Sequence, residues 1–138
     1  MNASGRPLRL LVVDDDAVDR MAVRRALQRA GVDAVVDEAV DAIDALERLG
    51  SADYDCVFLD YNIPHGDGLT LMQGISRARL AVPVIILSGQ EDTTIIAELL
   101  HAGAVDYVSK DSVTPARLRL SLERAASAAD RWPDRDRT

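Results

Sequence analysis

The sequence lacks most of the features that mark secreted, membrane-spanning or nucleic-acid-binding proteins. Its 138 residues include a single cysteine, Cys56, so no internal disulfide can form, and we expect a reducing, cytoplasmic compartment. No apolar run approaches the roughly 18 residues that a membrane span needs, and no signal peptide opens the chain. A formal net charge of −7 argues against contact with nucleic acid, which favours a basic surface.

What the sequence does contain is a regular alternation of short apolar segments and amphipathic helical stretches. The apolar segments are expected to be strands at residues 8–13, 33–40, 55–59, 82–87 and 105–108. Each is followed by apolar residues at helical spacing, and this alternation predicts an α/β fold with a parallel sheet covered by helices on both faces. Because crossovers between parallel strands are right-handed, all carboxyl ends of the strands meet at one edge, where such sheets bind ligands.

Helix boundaries can be placed from capping residues. Asp16 and Thr114, the latter before Pro115, are suited to begin the first and last helices. Gly31, Gly50 and Gly103 are expected to end the first, second and fourth helices, since glycine is favoured just past a helix. In the fourth helix we expect an apolar inner face. It is formed by Ile95, Ile96, Leu99 and Leu100. Residues 1–129 are then one domain, and the charged, aperiodic residues 130–138 are a flexible tail or a linker.

Polar residues follow four of the predicted strands and therefore gather at one edge. They are Asp14, Asp15, Asp60, Ser88 and Lys110. Three ionised carboxylates at ~5 Å in an effective dielectric near 20 repel by about 3 kcal/mol per pair, so protons or a divalent cation must join them. Carboxylate oxygens suit Mg²⁺, or the similar Mn²⁺. With Lys110 and Ser88 available to hold phosphoryl oxygens, the cluster predicts phosphoryl transfer to a carboxylate.

These segments resemble the receiver domain of response regulators in two-component, or phosphorelay, signal transduction. The resemblance rests on the acidic pair in LVVDDD, the aspartate in VFLDYNIPHGDG, the Ser-Gly pair in VIILSG and the lysine in DYVSK, and extends over residues 8–129. It implies a doubly wound, flavodoxin-like fold with five parallel strands in the order 2-1-3-4-5.

The resemblance also implies roles for the acids and the lysine. Asp60 would accept a phosphoryl group from a phosphohistidine on a sensor histidine kinase or a histidine phosphotransfer protein. Asp15, Asp60 and the backbone carbonyl of Asn62 would bind Mg²⁺, while Asp14 would act mainly through a bound water. Lys110 would pair with a phosphoryl oxygen. Such a domain is not a classical enzyme, although it catalyses its own Mg²⁺-dependent phosphorylation and slow dephosphorylation.

The resemblance implies two further roles, a conformational switch that responds to phosphorylation and control of the rate at which the aspartyl phosphate is hydrolysed. Ser88 would donate its hydroxyl to the phosphoryl group, and Tyr107 would turn inward as Ser88 moves. Asn62 and Gln90 lie where the family orients the hydrolytic water. The sequence departs from the family at Asp111, which replaces the usual proline after the lysine, so we expect a trans bond there.

Phosphorylation is expected to remodel a face made by the fourth helix, fifth strand and fifth helix, and to favour a homodimer there. Charged residues on the fifth helix, and on or near the fourth, offer charge pairing across a two-fold axis of such a dimer. They are Arg117, Arg119 and Arg124 on one side and Glu91, Asp92 and Glu98 on the other.

Two other functions are compatible with the sequence. A receiver-like binding module that is not regulated by phosphorylation is kept open by Asp111. A Mg²⁺-dependent aspartyl phosphatase or phosphotransferase of the haloacid dehalogenase type is less well supported. Such enzymes place a second aspartate where this chain has Asn62.

Overall fold

The computed structural model, described here for residues 6–63, 68–78, 80–89 and 93–128, is a single five-stranded parallel sheet with five helices. In chain order the elements are β1 (Leu8–Val13), α1 (Ala17–Arg29), β2 (Ala34–Ala39), α2 (Ala42–Ser51), β3 (Cys56–Asp60), α3 (Gly68–Arg77), β4 (Val84–Ser88), α4 (Thr93–His101), β5 (Asp106–Ser109), a 3-10 turn (Lys110–Ser112) and α5 (Pro115–Ala128). The strand order is β2-β1-β3-β4-β5, which confirms the expected topology.

The strand register places the carboxyl ends of the central strands side by side. Val13 at the end of β1 pairs with Leu59, so the residues that follow each of them lie level with one another. Asp60 in turn pairs with Leu87, one residue before the end of β4. The register therefore puts Asp14 next to Asp60 at one edge of the sheet.

Two apolar cores, one on each face, fix this sheet. Alternate side chains of the strands enter the core beneath α1 and α5, as Leu10, Phe58 and Ile85 do. The intervening side chains, such as Leu11 and Leu59, enter the core beneath α2, α3 and α4. All residues of β3 and β4 are buried because helices cover both faces of a parallel sheet.

Three capping predictions are confirmed, two at α1 and one at α5. Asp16 accepts a hydrogen bond from the Val18 N–H, and the Thr114 hydroxyl oxygen accepts one from the Arg117 N–H at 3.2 Å. Gly31 after α1 has a φ of 74°, a left-handed conformation that favours glycine.

Two expectations about helices are wrong. Gly50 does not end α2: the Ala52 N–H still bonds to the Arg48 carbonyl at 3.1 Å, and the extended backbone of Ala52 stops the helix. Leu100 is 44% exposed, whereas its neighbour Leu99 is buried. Consecutive helical residues point about 100° apart, so a helix that buries one narrow stripe cannot bury both. The tail predicted at residues 130–138 lies outside the described residues.

A buried ionic cluster joins β5 to α5. Asp106, the first residue of β5, is 6% exposed and accepts hydrogen bonds from Arg117 at 2.9 and 3.1 Å, Arg124 at 2.7 Å and Ser121 at 2.7 Å. Arg117 also donates to the backbone carbonyl of Tyr107 at 2.8 Å. Burial opposes the ionisation of Asp106, but the bonds from Arg117 and Ser121 outweigh it and lower the pKa of this carboxyl.

Over the same described ranges, no helix combines the length and the apolar character that crossing a membrane requires.

We predict that Asp106→Asn lowers the free energy of unfolding at neutral pH by about 2 kcal/mol, since it leaves two guanidinium groups without their counter-charge. Because the pKa of Asp106 is lowered on folding, its contribution is complete above about pH 4, near its ordinary pKa, and is lost as the pH falls through the lowered value. Urea unfolding at several pH values measures both effects. Asp111→Asn, at an exposed acid, is the control and should change the unfolding free energy by less than about 0.5 kcal/mol. Equal stabilities of the two variants at neutral pH would contradict the role given to the cluster.

Candidate functional site at the carboxyl edge of the sheet

Three carboxylates meet where β1 and β3 end. One oxygen from each of Asp14, Asp15 and Asp60 lies within 4.8 Å of the other two. Asp14 is fully buried and Asp60 is 4% exposed, whereas Asp15 is exposed. The sequence prediction that these acids converge is therefore confirmed by the geometry, and two of the three charges lie out of water.

The side chain of Lys110 joins this cluster from the far end of β5. Its Nζ lies 3.1 Å from Asp14 Oδ2, 3.1 Å from Asp60 Oδ2 and 2.7 Å from Asp19 Oδ2. β4 separates β3 from β5, so the long lysine side chain reaches across the strand end to the acids. One cation is thus shared among several anions.

The charges in the cluster do not balance. Burial raises the pKa of Asp60 above its ordinary value, and the nearby Asp14 charge raises it further, while Lys110 partly offsets both. Burial alone would lower the pKa of Lys110, but its contacts with Asp19, Asp14 and Asp60 outweigh that effect and raise it. The lysine therefore stays protonated, and the site still carries an excess of negative charge.

This donor set fits a hard divalent cation. Asp14 Oδ2 is buried and accepts no hydrogen bond, and the Lys110 ammonium 3.1 Å away is an ion-pair contact only. Asp14 Oδ1 accepts from the Asp16 N–H at 2.9 Å, which fixes the carboxylate in place. A buried oxygen that accepts no hydrogen bond, beside two other carboxylates, is suited to Mg²⁺, which prefers oxygen ligands. Asp14, Asp15 and Asp60 are the residues that could hold it.

The segment after Asp60 turns back toward it. The Asn62 N–H donates to Asp60 Oδ1 at 3.3 Å, and the Asn62 side chain is exposed. The Gly68 N–H donates to the Tyr61 carbonyl at 2.8 Å, and a Cβ on Gly68 would lie 3.2 Å from Tyr61. Glycine at the start of α3 thus permits the close approach of this helix to Tyr61. That the Asn62 carbonyl is a metal ligand stays a prediction.

Ser88 and Tyr107 lie on the neighbouring strands. Ser88 ends β4, is buried, and pairs in register with Ser109, the residue before Lys110. Gly89 is exposed, and a Cβ there would meet no atom of the described residues within 4 Å. Tyr107 is half-buried against the core beneath α2, α3 and α4. Their switch roles stay predictions, and Gln90 lies outside the described residues.

The peptide bonds of the loop that carries Asp111 are all trans. Lys110–Ser112 forms the 3-10 turn, and the Asp111 N–H donates to the Ser109 hydroxyl at 3.3 Å. Among the described residues no peptide bond is cis, in agreement with the trans bond expected after Lys110.

Sequence analysis did not identify Asp19 as part of the site. It lies in the first turn of α1, where an acid is favoured by the helix dipole, and that local role concealed its contact with Lys110. A signal was nevertheless present, because α1 begins at the same sheet edge and its first turn projects over the acids. Arg20, the next residue, donates to the Asp14 carbonyl at 2.7 Å and also ties α1 to this edge.

Comparison with known proteins identifies the family. A family model described as the response regulator receiver domain matches residues 10–123. A protein-glutamate methylesterase/protein-glutamine glutaminase of Archaeoglobus fulgidus is 41% identical over 105 residues, covering 75% of this chain and 30% of that protein. The chain thus spans about a third of the length of the curated relatives it matches.

Solved structures agree with this assignment. The signal receiver domain of an HD domain-containing protein from Pseudomonas fluorescens has a TM-score of 0.83 and 27% identity, with 98% of this chain and 97% of that one covered. The receiver domain of the response regulator NarL from Mycobacterium tuberculosis has a TM-score of 0.74 and 30% identity, with 84% and 97% covered.

We predict that Asp60→Asn stabilises the metal-free chain by about 1 kcal/mol. Roughly 3 kcal/mol of repulsion between two charges at ~5 Å would be removed, and a weaker contact with Lys110 would offset part of it. Because the pKa of Asp60 is raised on folding, the gain should appear at neutral pH and disappear as the pH falls below the raised value. Thermal unfolding in EDTA measures the gain.

The same measurement with added Mg²⁺ tests the metal site. Mg²⁺ should stabilise the wild type more than Asp60→Asn, since the variant has lost one ligand charge. A wild type that is more stable than Asp60→Asn in EDTA, or that does not respond to Mg²⁺, would contradict this account of the cluster.

Proposed function

The chain belongs to the response regulator receiver family, and we propose that it accepts a phosphoryl group on Asp60 in a Mg²⁺-dependent reaction that controls a protein-interaction surface. The observation that carries the proposal is the meeting of Asp14, Asp15, Asp60 and Lys110 at one edge, although they come from three distant parts of the sequence. The proposed receiver unit spans residues 1–129, with a tail at 130–138.

The phosphoryl donor is a phosphohistidine of a sensor kinase or a phosphotransfer protein. A carboxylate oxygen of Asp60 attacks phosphorus, an O–P bond forms, and the P–N bond to the histidine breaks. A Mg²⁺ ion held by the carboxylates would supply positive charge to them and to the phosphoryl oxygens. Asp14, Asp15, Asp60 and the Asn62 carbonyl are the proposed ligands.

Lys110 and Ser88 are the proposed donors to the transferred group. The ammonium is 3.1 Å from Asp60 Oδ2, so only a small movement brings it to a phosphoryl oxygen on Asp60. Ser88 is buried at the end of the adjacent strand and would supply a hydroxyl from the other side. Asn62 and Gln90 would orient the water that later hydrolyses the aspartyl phosphate.

We predict that acetyl phosphate with Mg²⁺ adds one phosphoryl group to the wild type and none to Asp60→Asn. Intact-mass spectrometry measures the addition, with EDTA as the metal-free reference. Asp53→Asn, at an exposed aspartate away from the cluster, should behave as the wild type does. Absence of a phosphoryl group on the wild type would favour the receiver-like module that is not phosphorylated, and turnover of small phosphate esters would favour the phosphatase.

The output surface is proposed to be the face formed by α4, β5 and α5. Two of the arginines considered for a dimer there, Arg117 and Arg124, bind Asp106 within the chain, whereas Arg119 is exposed. Exposed apolar residues of this face, Leu100 among them, are the better contact groups.

We predict that phosphorylation promotes self-association and that Leu100→Glu weakens it about tenfold or more, because a charge would be buried in the contact. Sedimentation velocity before and after phosphorylation measures the effect. Ile43→Glu on α2 is the matched control, since Ile43 is 56% exposed and Leu100 is 44% exposed. The proposed face is wrong if Ile43→Glu, and not Leu100→Glu, disrupts the association.

A further inference from the structure

The ammonium of Lys110 has more anionic partners than phosphoryl transfer requires. It carries three N–H donors, and three carboxylates surround it. The shortest contact, 2.7 Å, is to Asp19, and contacts to Asp14 and Asp60 are both 3.1 Å. The hydrogen-bond geometry is satisfied with Asp19 and Asp60. The strongest geometric hold on the lysine thus comes from a residue outside the proposed metal site.

Asp19 reaches the lysine from a different direction than the other acids do. It lies in the first turn of α1, three residues after the capping residue Asp16, and α1 is anchored by its apolar face in the core shared with α5. Its side chain is 35% exposed, whereas those of Asp14 and Asp60 are 1% and 5% exposed. Asp19 is therefore the only one of the three partners that water can solvate without a rearrangement of the fold.

This difference in exposure decides which contact is given up. When a phosphoryl group is attached to Asp60, the ammonium must move to donate to its oxygens, and the contact with either Asp14 or Asp19 is then lengthened. Release of Asp14 would leave a buried carboxylate without a counter-charge, which is costly. Release of Asp19 costs little, because a partly exposed ion pair contributes little in water.

We propose that Asp19 is a positioning residue that holds the Lys110 ammonium on the α1 side of the cluster and competes with the phosphoryl group for it. Phosphorylation would thereby exchange a lysine contact with α1 for one with the phosphoryl group. This inference rests on the proposed phosphoryl transfer to Asp60. The exchange also links the state of the site to the first turn of α1.

The sequence supplies a direct probe, since Lys110 is its only lysine. A proton–nitrogen NMR correlation of the lysine ammonium therefore reports on this side chain alone. The test variant is Asp19→Asn, which keeps the shape and removes the charge. The control is Asp16→Ser, which removes the charge of the residue that caps α1 and retains a helix-capping hydroxyl.

We predict that Asp19→Asn shifts and broadens the Lys110 ammonium signal of the metal-free chain, whereas Asp16→Ser leaves it in place. At saturating Mg²⁺, Asp19→Asn should be phosphorylated by acetyl phosphate about two- to fivefold faster than Asp16→Ser, the range expected when one partly exposed ion pair no longer has to be broken. Intact mass against time measures this rate.

The two proposals fail in different ways. A wild type that gains no phosphoryl group contradicts the proposed function, and the ammonium signal still decides whether Asp19 holds Lys110. An unchanged signal in Asp19→Asn overturns the positioning role. A shifted signal with a phosphorylation rate equal to or below that of Asp16→Ser overturns the competition.

Discussion

The structure depends on the placement of two carboxylates where water cannot stabilise them. Asp14 and Asp60 follow adjacent strands, lie within 4.8 Å of one another and are almost completely buried. In the absence of a metal the fold tolerates this arrangement through Lys110, which contacts both. One cation cannot neutralise two carboxylates and also Asp19, so the edge keeps an affinity for further positive charge. The repulsion between these carboxylates therefore lowers the stability of the fold, and it leaves a site suited to a cation and an anionic group.

The parallel sheet holds the residues of this site together. Strand register aligns the ends of β1 and β3, and the two apolar cores prevent either strand from sliding, because a shift of one residue would turn every core side chain to the wrong face. The acids are thus held together by hydrophobic burial elsewhere in the molecule. None of the energy that brings them together comes from attraction between them.

Much of this arrangement follows from local sequence signals. Apolar strands followed by acids or lysine predicted the edge, and capping by Asp16 followed from the type and position of that residue. The errors occur where local chemistry permits two outcomes. Gly50 can end a helix or be tolerated inside one. The hydrogen bond from the Ala52 N–H to the Arg48 carbonyl shows that it lies inside α2. Leu99 and Leu100 are the same residue type at neighbouring positions, and only the packing of α4 determines which of them is buried.

Contacts between distant side chains were the least predictable. The residues around Asp19 in the sequence do not indicate that it pairs with Lys110. Those around Asp106 likewise do not indicate its pairing with Arg117 and Arg124. Each pairing depends on how helices pack over strand ends. These two clusters have opposite balances. The Lys110 ammonium is shared by several carboxylates, so anions are in excess there. The Asp106 carboxylate accepts hydrogen bonds from several donors, so donors are in excess there.

This contrast indicates where movement is possible on the α4, β5 and α5 face. The Asp106 cluster binds β5 to α5 and also holds the Tyr107 carbonyl through Arg117, so that half of the face is rigid. α4 buries only Leu99 among its nine residues and therefore has few apolar contacts to lose. A change of charge at Asp60 can reposition α4 at far lower cost than it can separate α5 from β5. Any remodelling of this face by the site is thus expected to occur on its α4 side.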